Sequence, residues 1–293
     1  MIAQLTHTQE QDGMLTIAKS SLSALYDEIK QLSPAQASQK YGIREEQGEV
    51  LLPSLAIYRT LSEFASSDAV ISPGVTLLDS LLFELLYPKE AKDWNKRFEE
   101  GAAASAWEMV RRYQADANHA AAVESYAMLI FDALKKVHGF SGRERRLLQA
   151  AAILHDIGKF VDSKYHDVYS CHLLMDSNII GFSTAEMALL GNIARYHSGT
   201  VPSLSHAEYA ALTGEDRLIV SKLAAVLRLA DSLDRSHLQK FSGIEIKLKE
   251  NELILSGRAE RETALEEWTF GYKSAFFTEV FGLRCVFRRK GKD

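Results

Sequence analysis

His155 and Asp156 stand side by side at the end of an apolar run, Leu147-Leu148-Gln149-Ala150-Ala151-Ala152-Ile153-Leu154, and Ile157-Gly158-Lys159 follow them. An imidazole and a carboxylate closing a buried helix make poor packing, because an unpaired buried carboxylate costs several kcal/mol unless a cation or strong donors meet it. A divalent metal supplies both charge and coordination. The dipeptide alone is too common to carry that reading; its weight comes from residues elsewhere in the chain.

Four expected helices end at, or pass through, a candidate ligand on their inward stripe. Over residues 116–137 the apolar positions Val123, Tyr126, Ile130 and Leu134 share one face, and four residues before Val123 lies His119. The helix of the His-Asp pair opens on Ser141-Gly142-Arg143-Glu144, a capping-box spelling, and its face passes Leu148 and Ala152 to reach His155. A third opens on Ser183-Thr184-Ala185-Glu186, and Met187, Leu190 and Ala194 lead to His197. The fourth, from about residue 215, carries Val220, Ala224 and Leu227 toward Asp231. His166 lies just ahead of a short helix expected over 168–176. Polar side chains that each continue an apolar stripe meet where helices converge, and these form a metal-site constellation.

Plainer readings stand beside that one. A lone histidine such as His119 is more often a core residue, and Asp231 could pair with Arg228 or Arg235. His197 could close its helix by donating to the last carbonyls, and Lys159 could be a favourable charge at a helix C-terminus. His172 competes with His166 and otherwise reads as core or as support for a ligand. His7, His138, His206 and His237 sit in polar or loop contexts and are expected outside the ligand set.

The order His119, His155-Asp156, Asp231 resembles the HD superfamily of metal-dependent phosphohydrolases over residues 105–240. His166 and His197 fall where its two-metal members place two further histidines, and Leu227 through Arg235 looks like the final metal-aspartate helix. A second resemblance narrows the family. Leu51-Leu52-Pro53-Ser54-Leu55-Ala56-Ile57-Tyr58 and Asp68-Ala69-Val70-Ile71-Ser72-Pro73-Gly74-Val75 look like the end of the actin-like module of Ppx/GppA proteins. The stretch from Glu267-Trp268 through Phe276-Phe277-Thr278-Glu279-Val280-Phe281-Gly282 is similar to that family's C-terminal segment. The family's N-terminal Asp-Gly-Ser-rich loops, its Gly-rich phosphate cradle and its catalytic glutamate have no counterpart in these residues. The expectation is therefore the C-terminal part of such a protein without the actin-like half, its chemistry carried by the helical segment.

That resemblance implies a phosphohydrolase acting on a phosphate ester or anhydride, whether nucleotide, cyclic nucleotide, alarmone or polyphosphate, through a metal-activated hydroxide. It implies six metal ligands, His119, His155, Asp156, His166, His197 and Asp231, and two metals per chain bridged by Asp156. A mixed histidine and carboxylate set suits Mn, Fe, Co, Ni or Zn better than Mg or Ca. Asp156 and Lys159 are the catalytic candidates; Lys159, Arg195 and Arg235, with Arg228 as a third arginine, are the phosphate contacts. Asp234, one turn after Asp231, would orient a ligand or bind a metal-held water. The alternative is a regulatory or assembly module that binds a nucleotide or metal without turnover and pairs with a separate actin-like phosphatase subunit; a homodimer is the other assembly expected. Exposed apolar surface on residues 1–90 would favour it.

The expected fold is mainly α: a small α/β segment over 1–90, the helical HD core over 91–241 and a small α+β segment over 242–293. Helices are expected over 15–32, 50–65 and 75–86, a strand at Ala69-Val70-Ile71, a hairpin over 243–256, a helix over 260–281 and a closing strand over 284–288. Pro88 and the charged run 89–100 mark the boundary between the first two segments. At 293 residues and 46% hydrophobic, the chain has ample material for a core. A net charge of −5 argues against general nucleic-acid or anionic-membrane binding. The short basic clusters, such as Arg143 with Arg145-Arg146, read as solvated faces. Two distant cysteines, an early polar start and no long apolar run lead us to expect a cytoplasmic protein away from the membrane.

Overall fold

The computed structural model describes residues 1–6, 8, 10–11 and 14–290, so His7 lies outside the described residues. The chain divides into two compact units, Met1–Lys92 and Asp93–Asp293. It is mainly α, with one small three-stranded sheet in each unit.

In the first unit β1 (Glu10–Gln11), β2 (Met14–Ala18) and β3 (Ala69–Ser72) form an antiparallel sheet in that order. The unit's helices are α1 (Ile2–Leu5), α2 (Lys19–Ile29), α3 (Pro34–Tyr41), α4 (Glu45–Phe64) and α5 (Leu77–Leu86). The helix expected over 15–32 is thus corrected at its start. Leu15 through Ala18 pair with Ser72 through Ala69, and only from Lys19 does the chain coil. The sheet wins there because a distant strand supplies ladder partners that local periodicity cannot reveal. Helix α3 was not foreseen, although Ser33, Pro34 and Gln36 spell its start: Pro34 takes the first turn and Ser33 forms a capping box with Gln36. Ile17, Leu22, Leu25, Ile29, Leu51 and Leu55 make this unit's core. Helix α5 contributes nothing to it; Leu77, Leu78, Leu81, Leu82, Leu85 and Leu86 are all exposed.

Helix α6 (Pro88–Arg112) continues without a break through the charged run read as a boundary. The second unit follows with α7 (Ala117–Ala133), α8 (Lys135–His138), α9 (Gly142–Leu154), a 3-10 turn (Ile157–Phe160), α10 (His166–Met175), α11 (Thr184–Arg195), α12 (Ala207–Ala210) and α13 (Gly214–Ser232). Then come β4 (Phe241–Lys249), β5 (Glu252–Ala259), α14 (Ala264–Phe281) and β6 (Arg284–Lys290). The hairpin and closing strand stand where the alternation put them, and β6 lies parallel to β5, a pairing that needs the α14 crossover.

Helix α9 is the pillar of this unit. Ala150 through Leu154 are buried on every side, with α7, α11 and α13 packed around them. Small alanines let the neighbouring helices approach closely, so the helix ends converge on whatever follows Leu154. Residues 242–293 add Leu253, Leu255, Phe270 and Phe277 to the same core. Both capping boxes exist: Ser141 with Glu144 and Ser183 with Glu186. Among the described residues, no helix is long and apolar enough to cross a membrane.

Candidate functional site

Five helix termini deliver the polar cluster. Asp116 caps α7, its Oδ1 accepting from the backbone nitrogens of Asn118 and His119, which fixes His119 in the first turn. His155 caps the C-terminus of α9, and Asp156 begins the swing into the 3-10 turn. Gly158 packs that turn directly on α10: its nitrogen donates to Ser170 Oγ, which itself donates to the His155 carbonyl. His166 opens α10, His197 follows the end of α11, and Asp231 lies in the last turn of α13.

The donor atoms form two groups that share one carboxylate. On one side His119 Nε2 lies 3.1 Å from His155 Nε2 and 3.2 Å from Asp231 Oδ1. Asp156 Oδ2 is 3.7 Å from each of those two Nε2 atoms. On the other side His166 Nε2 and His197 Nε2 are 3.2 Å apart, and Asp156 Oδ1 is 3.5 Å from each. Around a cation bound at roughly 2.0–2.2 Å, donor atoms sit on the order of 3.0–3.6 Å from one another. All six side chains expected from the sequence therefore meet, with the two oxygens of Asp156 facing opposite groups.

Each ring is turned by its other nitrogen. Nδ1 donates to a carbonyl in three cases: His155 to Ala152 at 2.8 Å, His166 to Ser163 at 3.0 Å and His197 to Ala194 at 2.6 Å. His119 Nδ1 lies 2.9 Å from Asp234 Oδ2. With Nδ1 engaged, the Nε2 lone pairs point inward, where lone pair against lone pair is repulsive unless a proton or cation intervenes. The helix-closing role considered for His197 is real, and it is what aims the ring.

The electrostatics agree. Burial alone favours the neutral acid at Asp156, yet His155, His197 and Lys159 hold its carboxyl well below the usual range. Burial is likewise overcome at Asp231, by Lys273, His119 and His155. Burial pushes His197 down to about 4, leaving it the neutral ligand form near pH 7. At His119 burial is outweighed by Asp231, Asp234 and Asp156, which raise it to about 9.

The family model for Ppx/GppA phosphatase, domain III, matches residues 103–269, a span that contains all six of these side chains. The chain belongs to the Ppx/GppA phosphatase family. Three relatives share the name guanosine-5'-triphosphate,3'-diphosphate pyrophosphatase. The protein of Photobacterium profundum is 22% identical over 87% of this chain and 49% of its own length. That of Vibrio vulnificus is 26% identical over 78% and 44%, and that of Aeromonas hydrophila 26% over 64% and 36%. The chain thus spans about half, or less, of the relatives it matches.

Around the six, this Ppx/GppA member places some expected residues and rearranges others. Lys159, about one third exposed, pairs with Asp156 Oδ2 and lies 3.4 Å from His237 Nε2. Asp234, one of the residues singled out in the sequence, meets His119 through its Oδ2. Reading Asp231 against Arg228 or Arg235 is corrected: its Oδ2 pairs with Lys273, a residue of α14 that sequence reasoning missed. Arg228 is buried, with Nη1 donating to the carbonyls of Tyr196, Ser198 and Thr200. Arg195 is committed elsewhere, to Glu208. Arg235 is exposed. His172 is neither core nor support for a ligand; it is exposed and 3.1 Å from Glu208 Oε1. His138 and His206 lie away from the cluster, against Phe131 and Tyr196 respectively. His237 was excluded on its loop context, yet its ring stacks on His119 at 3.6 Å and its Nδ1 meets Asp116 Oδ2 at 2.9 Å. The only cue was Asp116, which caps α7 and holds His237 with its second oxygen.

Proposed function

We propose that the cluster is a two-metal centre of the HD type and that this chain hydrolyses a phosphate ester or anhydride. The observation that carries the reading is Asp156, whose two oxygens face two separate groups of inward imidazole nitrogens. His119, His155, Asp156 and Asp231 would hold one cation, and His166, His197 and Asp156 the other. Divalent Mn, Fe, Co, Ni or Zn held there would lower the pKa of a water and neutralise charge building on phosphoryl oxygens.

The chain's own residues supply the rest. Asp156 holds the two groups of donors in register and carries the negative charge between them. Lys159 is the displaceable partner of Asp156: partly exposed on a short turn, it can leave the carboxylate and donate to a phosphoryl oxygen. Asp234, buried and held by Gln239, keeps His119 in one tautomer. Arg235, exposed and close enough to act on the field at Lys273, adds positive potential for an anion. The relatives' shared name makes a guanosine 5'-triphosphate bearing a 3'-diphosphate the first substrate to try, followed by polyphosphate and cyclic nucleotides.

The test is elemental analysis of freshly purified protein, then phosphate release over that panel with Mn or Co added. We expect two metals per chain, none in Asp156→Ala, and one in His166→Ala or His197→Ala with most turnover lost. Full metal content in Asp156→Ala would end this reading. A second reading, an assembly module pairing with an actin-like subunit or a second copy, is favoured by the exposed leucines of α5. Sedimentation of the purified chain as a monomer, together with turnover, would set it aside.

A further inference from the structure

Each cluster carboxylate has its own ammonium, and the two pairs differ in which oxygen the ammonium takes. Lys159 lies on Oδ2 of Asp156, an oxygen that also faces His119 and His155. Lys273 lies on Oδ2 of Asp231, whereas the imidazoles face Oδ1 of that residue. Lys159 therefore occupies the donor side and must move when a cation arrives, and Lys273 stands behind its carboxylate and need not. Lys273 is buried, at about 5% side-chain exposure, and its Nζ also donates to the His197 carbonyl at 2.8 Å. One side chain of α14 thus touches a residue from each group of donors.

Resting on the metal reading above, we propose that Lys273 is a resident cation of the centre. It balances Asp231 so that the folded site exists before metal is bound, and it holds Asp231 with Oδ1 alone offered to the imidazoles. Asp156 and Asp231 are each matched by an ammonium, Lys159 and Lys273, so neither carboxylate depends on a metal for its counter-charge. Without Lys273 the buried Asp231 carboxylate keeps only the imidazoles of His119 and His155 beside it, and a divalent cation becomes its strongest counter-charge. Metal binding and folding are then linked far more tightly, because whatever binds only the folded form stabilises it.

The test compares wild type, Lys273→Met and Lys273→Gln, each purified with Mn2+ and then stripped with a chelator. Thermal melting with and without Mn2+, and Mn2+ affinity by chelator competition, are the readouts. Both variants should melt well below wild type when stripped, recover most of the difference at saturating Mn2+, and bind the cation at least tenfold more tightly. Gln keeps a donor but no charge, so a wild-type response from Lys273→Gln would show that a hydrogen bond suffices and overturn the proposal. Equal destabilisation with and without Mn2+, or weaker Mn2+ binding, would make Lys273 a packing residue and overturn it as well. If the stripped variants do not refold, their Mn2+ affinity is read from the loaded form by chelator-driven loss of Mn2+. A wild-type chain that takes up no Mn2+ removes this proposal and the metal reading together, whereas wild-type uptake with unaltered variants removes this proposal alone.

Discussion

A methyl group at Gly158 would lie 2.1 Å from the His166 carbonyl oxygen and 2.4 Å from the Ser170 nitrogen, both backbone atoms of α10. Neither can turn aside as a flexible side chain would. Gly158→Ala should therefore cost at least about 1–3 kcal/mol. It should also push His166 from Asp156, so a melting curve and elemental analysis would show lower stability together with loss of one metal. Wild-type values for both would mean that α10 moves freely against the turn. Asp234→Ala acts from behind His119 and should weaken Mn2+ binding by about 10–100-fold while leaving His166 and His197 in place; chelator competition measures it, and unchanged affinity would show that His119 needs no holder. At this scale His119, His155, His197 and Asp231 were legible because each continues an apolar helical stripe, Asp156 as the neighbour of His155, and His166 only through the family resemblance. His237 and Lys273 were not. His237 sits after α13 at φ 58, where no periodicity applies, and Lys273 belongs to a helix whose register against α13 depends on the sheet before it.

Helix ends were the most readable elements, because caps are local chemistry. Ser141 with Glu144 and Ser183 with Glu186 start helices where the spelling places them. Strand β2 was unreadable for the opposite reason, its partner β3 lying far along the chain and its residues running straight into α2. The partners of the arginines were unreadable similarly: Arg195 and Arg228 sit near ligand-bearing ends, but acceptors on other segments claim them. Glu208 joins α10, α11 and α12, taking His172 and Arg195. A backbone hydrogen bond, His172 and Arg195 lower its carboxyl from 4.5 to about 2, against a modest opposing effect of burial. A depressed folded pKa gives stability that is present above the unfolded value and lost as pH falls through the folded one. Wild type should thus exceed Glu208→Gln in stability above pH 4.5, and the gap should close toward pH 2. Denaturant melts across that range check the sign, and a gap constant with pH would show that Glu208 acts by shape alone.

For the whole molecule, the division into two units sets the sharpest expectation. Every cluster residue, the helices that aim them and Lys273 lie in Asp93–Asp293, and that unit has its own continuous core reaching from Ala106 to Leu283. The first unit keeps a separate core around Leu22, Leu25, Leu51 and Leu55. Stability follows buried apolar contacts, and a unit with its own core can fold alone. A fragment of residues 88–293, cut so that α6 stays whole, should therefore melt cooperatively and take up the same number of metals as the full chain. It should also lose the exposed leucines of α5 and with them any concentration-dependent association they cause. Circular dichroism melts, elemental analysis and sedimentation on the two proteins make the comparison. A fragment that folds but binds less metal would mean that the first unit supports the centre, and association persisting in the fragment would clear α5 as its cause.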